Sequence, residues 1–156
     1  MDPIRLFKRF RRRLVGGEVT FIRLMCNSLL IYVDCEPGDG QGLTLWLEPA
    51  WHVTTPQGVV AGSCQAQGEA EVGRPTREEL DRVWDLLAPA LLNRPIESIR
   101  INVRSQDLIV TVEGGNRVRT FVSNPEDDHT WHIRDNSTGL MVYGSPAGLE
   151  VHRGKP

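Results

Sequence analysis

The sequence lacks the features that would indicate several classes of protein. It has no run of about 18 apolar residues, which excludes a membrane-spanning helix. It has no CxxC pair among its three cysteines, no GxSxG motif and no glycine-rich loop leading into a helix. It also lacks a large excess of charge of one sign, since the formal net charge is −2, and this excludes a uniformly basic nucleic-acid binder. With 40% apolar and 24% charged residues among 156, the chain has the composition of one globular domain.

The charge is unevenly distributed along the chain. Residues 1–13 hold six basic residues and one acid, a net charge of +5, while the remaining 143 residues carry a net charge of −7. We therefore expect a basic N-terminal arm over residues 1–17 and a single acidic globular domain over 18–156. In the arm, Ile4, Phe7, Phe10 and Leu14 would share one face of a helix. Such a segment could contact a membrane surface or nucleic acid, or dock on its own acidic domain.

The domain contains two similar halves. The sequence around Ile22 resembles that around Ile99, Trp51-His52-Val53 matches Trp131-His132-Ile133, and Gly62 matches Gly144. The offsets between matched positions rise only from 77 to 82, which predicts pseudo-repeats over residues 18–63 and 96–145. We expect the two tryptophans to be equivalent anchors of one core.

Alternating apolar residues and short turns predict eleven strands. Their expected ranges are 18–26, 28–35, 42–48, 51–54, 58–63, 96–104, 107–113, 117–123, 130–134, 139–144 and 147–152. Because the turns are short, neighbouring strands must be antiparallel. The sequence thus predicts an α+β fold, mainly antiparallel β, in which two β-meander halves are linked by one amphipathic helix.

The linking helix is predicted over residues 76–88. Thr76 and Glu79 form a capping box, and Leu80, Val83, Trp84, Leu87 and Leu91 follow a helical spacing that indicates a core-facing stripe. Pro89, which has no amide hydrogen, is expected to end or kink the helix near Ala88.

The sequence offers weak grounds for an enzyme. His129 and Cys64 are the residues on which a catalytic function would depend, but neither lies in a recognisable motif. His129 and His132, three residues apart on a strand, would point to opposite faces, so we expect no metal site and no cofactor. The odd number of cysteines and the absence of a recognisable signal peptide favour a cytoplasmic protein.

The acidic residues indicate a function other than catalysis. Two groups fall in predicted loops, and they are expected to bind a partner: Asp34, Glu36 and Asp39, and Glu126, Asp127 and Asp128. Acidic loops on a rigid β scaffold suit rapid capture of a basic protein, because complementary fields raise the association rate.

The second half carries a resemblance to known proteins. Leu108 to Val112, Trp131-His132-Ile133, Gly139 and Gly144-Ser145-Pro146 with Gly148 resemble small uncharacterised bacterial domains, some of which are similar to immunity proteins of interbacterial toxin systems. The resemblance implies a scaffold and carries over no functional residue. Together with the acidic loops, it favours a protein-binding module that neutralises a cationic toxin. The alternative is a small regulatory or structural module that residues 1–13 recruit to a membrane or nucleic acid. Pairing of exposed strand edges into a homo-oligomer is left open.

Overall fold

The computed structural model describes residues 1–66, 74–122, 124–126 and 128–155. The two α-helices are α1 (Pro3–Leu14) and α2 (Arg77–Leu91), and a short 3-10 helix spans Ser63–Ala66. The strands are β1 (Val19–Met25), β2 (Ser28–Val33), β3 (Leu43–Leu47), β4 (Trp51–Thr55), β5 (Gly58–Gly62), β6 (Ile96–Ile101), β7 (Leu108–Val112), β8 (Asn116–Thr120), β9 (Trp131–Asp135), β10 (Leu140–Ser145) and β11 (Gly148–Arg153). Every predicted strand is present, with its ends displaced by no more than three residues. The predicted fold class is confirmed.

The strands form two antiparallel sheets that share one core. The first sheet has the order β1-β2-β3-β9-β10-β11, and the second has the order β5-β4-β8-β7-β6. Neither sheet belongs to one half of the chain, because β3 pairs with β9 and β4 pairs with β8. Each half therefore gives three strands to one sheet and its fourth and fifth strands to the other. The two halves are interlocked rather than set side by side.

This strand exchange follows a two-fold pattern. The strand order β1-β2-β3-β9-β10 of the first sheet corresponds to the order β6-β7-β8-β4-β5 of the second. Strand β11 is an additional strand at the edge of the first sheet. The hydrogen bonds at the start of β1 and β6 show the same two-fold pattern. Gly16 N donates to Ile96 O at 2.8 Å, and Asn93 N donates to Val19 O at 2.9 Å. Gly16 corresponds to Asn93 and Val19 to Ile96 at the sequence offset of 77. The repeat therefore extends to the ends of both helices.

Residues 1–17, expected as an arm, contain helix α1, and this helix is part of the core. The side chain of Asp2 caps it by accepting a hydrogen bond from Ile4 N at 3.0 Å, and Pro3 occupies its first turn. Four apolar residues of α1 are buried with the core, namely Leu6, Phe7, Phe10 and Leu14. The expected apolar face was wrong at one position, since Ile4 is 55% exposed and Leu6 is 1% exposed. Phe7, Phe10 and Leu14 are buried as expected, and Leu6 takes the place of Ile4 on the buried face.

Helix α2 differs from its prediction at two points. Its capping box is present, with Glu79 N donating to Thr76 Oγ1 and Thr76 N donating to Glu79 Oε2. The helix runs to Leu91 instead of ending near Ala88, and Pro89 lies within it. Trp84, expected in the core-facing stripe, is 39% exposed, and its Nε1 lies 3.4 Å from Ile22 O on β1.

The two helices close the two open sides of the sandwich. Helix α1 contacts β6 at the edge of the second sheet and β10 and β11 at the edge of the first. Helix α2 contacts β1 at the other edge of the first sheet and β4 and β5 of the second. In the described part of the chain, no helical residue lines the cavity on the outer face of the first sheet. Within the described ranges, no helix has the length and apolar character needed to cross a membrane.

Candidate functional site

The acidic residues predicted to bind a partner lie in two separate loops. Asp34, Glu36 and Asp39 are exposed in the loop between β2 and β3. Two of these carboxylates organise the loop, since Asp34 Oδ1 accepts a hydrogen bond from Glu18 N at 2.9 Å and Asp39 Oδ2 accepts one from Glu36 N at 2.8 Å. Part of this acidic charge therefore holds the loop in shape.

The second acidic group lies in the loop between β8 and β9. Glu126 and Asp128 are exposed there, and Asp127 lies outside the described residues. The register pairs Leu47 with Trp131 and Leu43 with Asp135, so this loop enters the first sheet at one end and the β2–β3 loop lies at the other. A five-residue strand spans about 16 Å. The two acidic groups thus lie at opposite ends of the sheet.

Between these loops, the outer face of the first sheet carries a row of aromatic rings. On β3, β9 and β10, the side chains of Leu45, Ile133 and Val142 are buried in the core. Strand alternation then turns Trp46, His132 and Tyr143 outward. The register places these three residues side by side, with His132 in the middle.

The rings of this row contact one another. Trp46 stacks on His132 with ring centroids 5.5 Å apart, and the rings of His132 and Tyr143 are 4.7 Å apart. Tyr143 also meets His129 from the β8–β9 loop at 5.0 Å and His152 of β11 at 4.7 Å. We call Trp46, His132 and Tyr143 the aromatic row.

A second row of side chains lies beside the aromatic row. Arg134 is paired with Thr44 on β3 and with Met141 on β10, and Thr44 is paired with Tyr32 on β2. The two rows form the floor of a cavity of about 600 Å³, and Gly38 and Gly40 of the β2–β3 loop also line it. The face is therefore concave, with one acidic loop as part of its wall.

Three nitrogen atoms on this face are buried and lack a hydrogen-bond partner in the described part of the chain. They are Nε1 of Trp46, Nδ1 of His132 and Nε of Arg134. An unsatisfied buried donor costs about 1–3 kcal/mol. Polar groups in this condition take their hydrogen-bond partner from water or from another molecule.

Burial controls the charge of the aromatic row. Burial, followed by the charges of His129 and Arg134, lowers the pKa of His132 to about 4, so its ring is neutral at pH 7. Burial also raises the pKa of Tyr143 and of Tyr32 above the usual tyrosine value. The centre of the face is thus aromatic and uncharged at neutral pH, with Arg134 as the cation beside it.

Sequence reasoning noted His132 as an outward-facing residue but missed the aromatic row. Trp46 and Tyr143 are 97 positions apart, and the pairing of β3 with β9 and of β9 with β10 brings them onto one face. A local indication was present, because strand alternation turns Trp46 away from the buried face that holds Leu45 and Leu47.

The residues considered for catalysis do not converge. His129 contacts His132 and Tyr143 on the outer face, whereas Cys64 is exposed in the 3-10 helix after β5. The expectation that His129 and His132 point to opposite faces was wrong, because His129 lies in the β8–β9 loop and not on a strand, and its ring centroid lies 6.5 Å from that of His132 on the outer face. Among the residues that the structure describes, no group of three His, Cys, Asp or Glu side chains is placed to hold a metal ion.

Neither a protein-family model nor a curated protein nor a solved structure matches the chain.

Proposed function

We propose that the protein is a binding module for a basic protein partner and that the partner docks on the outer face of the first sheet. The observation that carries the proposal is the aromatic row of Trp46, His132 and Tyr143, which is half-buried on a concave face and bordered by Arg134. Tryptophan, tyrosine and arginine are the residues that contribute most binding energy at protein interfaces. A cluster of them at the centre of a concave face is the expected anatomy of an interface.

The acidic loops supply the rim of this interface. Gly38 and Gly40, which flank Asp39, line the cavity, and His129, next to Asp128, contacts Tyr143. The aromatic row runs across the strands, so the two acidic groups lie on its two long sides, one beyond each end of β3 and β9. Charged residues at a rim mainly change the association rate, whereas desolvated aromatic residues at the centre mainly change the dissociation rate. This arrangement supports an aromatic centre that holds the partner and acidic loops that attract it.

A cationic toxin is the partner class that this surface and the resemblance to immunity proteins favour together. Neutralising a toxin by binding requires no catalytic group on the inhibitor. The test is co-expression of this protein with a basic protein encoded beside its gene, scored by survival of the host. Purified components then give association and dissociation rates by surface plasmon resonance.

The variants separate the two parts of the surface. Trp46→Ala and Tyr143→Ala are each expected to raise Kd at least about tenfold through faster dissociation. Trp84→Ala, which removes a partly exposed tryptophan on α2, is the matched control and should leave Kd unchanged.

Glu126→Lys with Asp128→Lys should slow association, whereas Asp85→Lys with Glu97→Lys, on α2 and β6, should have a smaller effect. Survival that does not depend on this protein would reject the toxin, and wild-type kinetics in Trp46→Ala and Tyr143→Ala would reject the surface.

A further inference from the structure

Helix α1 presents a cationic face to solvent. With Leu6, Phe10 and Leu14 buried, the opposite side of the helix carries Arg5, Lys8, Arg9 and Arg12, all exposed. Their spacing places the four on one stripe about 10 Å long. We call these four residues the basic stripe.

The basic stripe is not neutralised by the body of the protein. Arg5 lies 3.7 Å from Asp2, while Lys8, Arg9 and Arg12 form no ion pair with any residue in the described ranges. The cation that does hold α1 to the body is Arg13, which lies 2.5 Å from the buried carboxylate of Asp135. Docking of the helix thus uses its apolar face and Arg13, and it leaves the basic stripe available.

Exposed apolar side chains adjoin the basic stripe. Ile4 is 55% exposed on α1, and Val103 is 84% exposed in the turn between β6 and β7. Both line a cavity of about 710 Å³ between α1, β6 and the start of β11, and its charged lining residues are two cations, Arg11 and Arg100, and one acid, Asp2. Met1, at the start of α1, is also exposed. Bulky apolar residues are thus set among cations on one side of the molecule.

We propose that this side of the protein, the basic stripe with Ile4 and Val103, binds the surface of a membrane that contains anionic lipids. Clustered lysines and arginines are attracted to anionic headgroups, and exposed apolar side chains enter the boundary between headgroups and acyl chains. Nucleic acid is the other polyanion that fits a basic stripe. It is disfavoured because phosphate groups offer no contact for Ile4 and Val103, and the one aromatic ring lining this cavity, Phe7, is buried.

The charge distribution orients the protein on such a surface. The first 13 residues carry +5 and the rest of the chain carries −7, so an anionic surface attracts the α1 side and repels the acidic body. The outer face of the first sheet, with its acidic loops, belongs to a different side from the one that α1 closes. Membrane attachment through α1 would leave the aromatic row free, and this inference is independent of the proposed protein partner.

The experiment is sedimentation of the full chain with vesicles of neutral phosphatidylcholine or of phosphatidylcholine mixed with phosphatidylglycerol. We expect binding to the anionic vesicles only, weaker at 0.5 M than at 0.05 M salt because the attraction is screened. Reversing the charges in Lys8→Glu, Arg9→Glu and Arg12→Glu together should weaken partitioning at least about tenfold. The milder set Lys8→Gln, Arg9→Gln and Arg12→Gln should weaken it in the same direction with less effect on folding. Ile4→Ser with Val103→Ser should reduce the binding that persists at high salt.

The matched control reverses three exposed cations elsewhere, Arg74→Glu, Arg77→Glu and Arg117→Glu, and should retain clearly more binding than the α1 variant. Equal loss in both sets would show that net charge alone is responsible and would overturn the site. Absence of binding to anionic vesicles at low salt would overturn the proposal. Binding to duplex DNA without binding to vesicles would assign the basic stripe to nucleic acid and would also overturn it.

Discussion

The indole groups of Trp51 and Trp131 make the same hydrogen bond in the two halves of the protein. Trp51 Nε1 donates to Asn27 O at 2.8 Å, in the turn between β1 and β2. Trp131 Nε1 donates to Gln106 O at 2.7 Å, in the turn between β6 and β7. Each tryptophan is the first residue of its strand and is almost completely buried. The two residues therefore tie the fourth strand of each half to the first hairpin of the same half, across the two sheets.

The first prediction concerns these tryptophans. Because each fills the core and satisfies a turn carbonyl, Trp51→Ala and Trp131→Ala should each lower the free energy of unfolding by about 3–5 kcal/mol. Trp84→Ala is the control, since this residue is 39% exposed, and it should cost less than about 1.5 kcal/mol. Urea denaturation followed by circular dichroism measures all three. A loss in Trp131→Ala no larger than that in Trp84→Ala would contradict its role as a core anchor, and clearly unequal losses in Trp51→Ala and Trp131→Ala would contradict the equivalence of the two anchors.

A second prediction uses a glycine pair on β5 and β10. A Cβ atom added to Gly144 would lie 2.1 Å from Cε2 of Trp131, so the ring must move. A Cβ added to Gly62, the matching position, would come no closer than 3.3 Å, to Trp51 O. Gly144→Ala should therefore destabilise the protein by about 3 kcal/mol or more, and Gly62→Ala by less than about 1 kcal/mol. The urea midpoints of the two variants measure this difference. A loss of stability in Gly62→Ala as large as that in Gly144→Ala would refute the prediction.

Local sequence patterns predicted most of the secondary structure. Alternation and turn residues located all eleven strands, and the capping box of Thr76 and Glu79 located the start of α2. These features depend on neighbours within a few residues, which is why the sequence reveals them. The end of α2 was missed because packing of Ala90 and Leu91 in the core carries the helix past Pro89.

The arrangement of these elements depended on contacts between distant residues. Similarity between the halves was visible in the sequence, but the exchange of β4 and β9 between the sheets was not, because nothing local distinguishes it from two separate meanders. Leu6 was missed for a related reason. The helical spacing of Ile4, Phe7 and Phe10 predicted a face that includes Ile4, whereas the position of α1 against β6 and β11 buries Leu6. The aromatic row likewise exists only after β3 and β9 are paired.

A third prediction follows from the lowered pKa of His132. An unfolded histidine takes up a proton near pH 6.5, whereas folded His132 does so only near pH 4, mainly because of burial. The unfolded state therefore binds more protons between these values, and the protein loses stability as the pH falls from about 6.5 to about 4. The loss due to His132 is at most about 3 kcal/mol. It should be measured as the free energy of unfolding in urea at several pH values.

The variant His132→Phe tests the origin of this loss. It keeps a ring against Trp46 and Tyr143 but removes the proton-binding group, so the dependence on pH over this window should become shallower. His52, whose pKa is also lowered by burial and by Arg119, would leave a residual slope. A pH profile that runs parallel in the variant and the wild type would show that His132 is not responsible.

A last prediction concerns the ion pair that joins α1 to β9. Burial alone would raise the pKa of Asp135, but hydrogen bonds from Ser137 and Arg13 and the positive charge of Arg13 hold it below the usual value. Removing the guanidinium in Arg13→Met would leave the carboxylate buried, with Ser137 as its one remaining hydrogen-bond partner among the described residues. We expect this variant to lose about 2 kcal/mol at pH 7, since an unpaired buried charge is costly.

The neighbouring residue provides the control for this change. Arg12→Met makes the same substitution one position earlier, at an exposed side chain, and should change the stability by less than about 0.5 kcal/mol. A group with a lowered folded pKa stabilises above its unfolded pKa and loses that contribution as the pH falls through the folded one. The difference between the Arg13 and Arg12 variants should therefore shrink as the pH falls toward the lowered pKa of folded Asp135, because protonation removes the charge that Arg13 pairs with. Urea denaturation at pH 7 and pH 3 measures it, and a difference that is the same at both values would show that the pairing with Asp135 is not what Arg13 contributes.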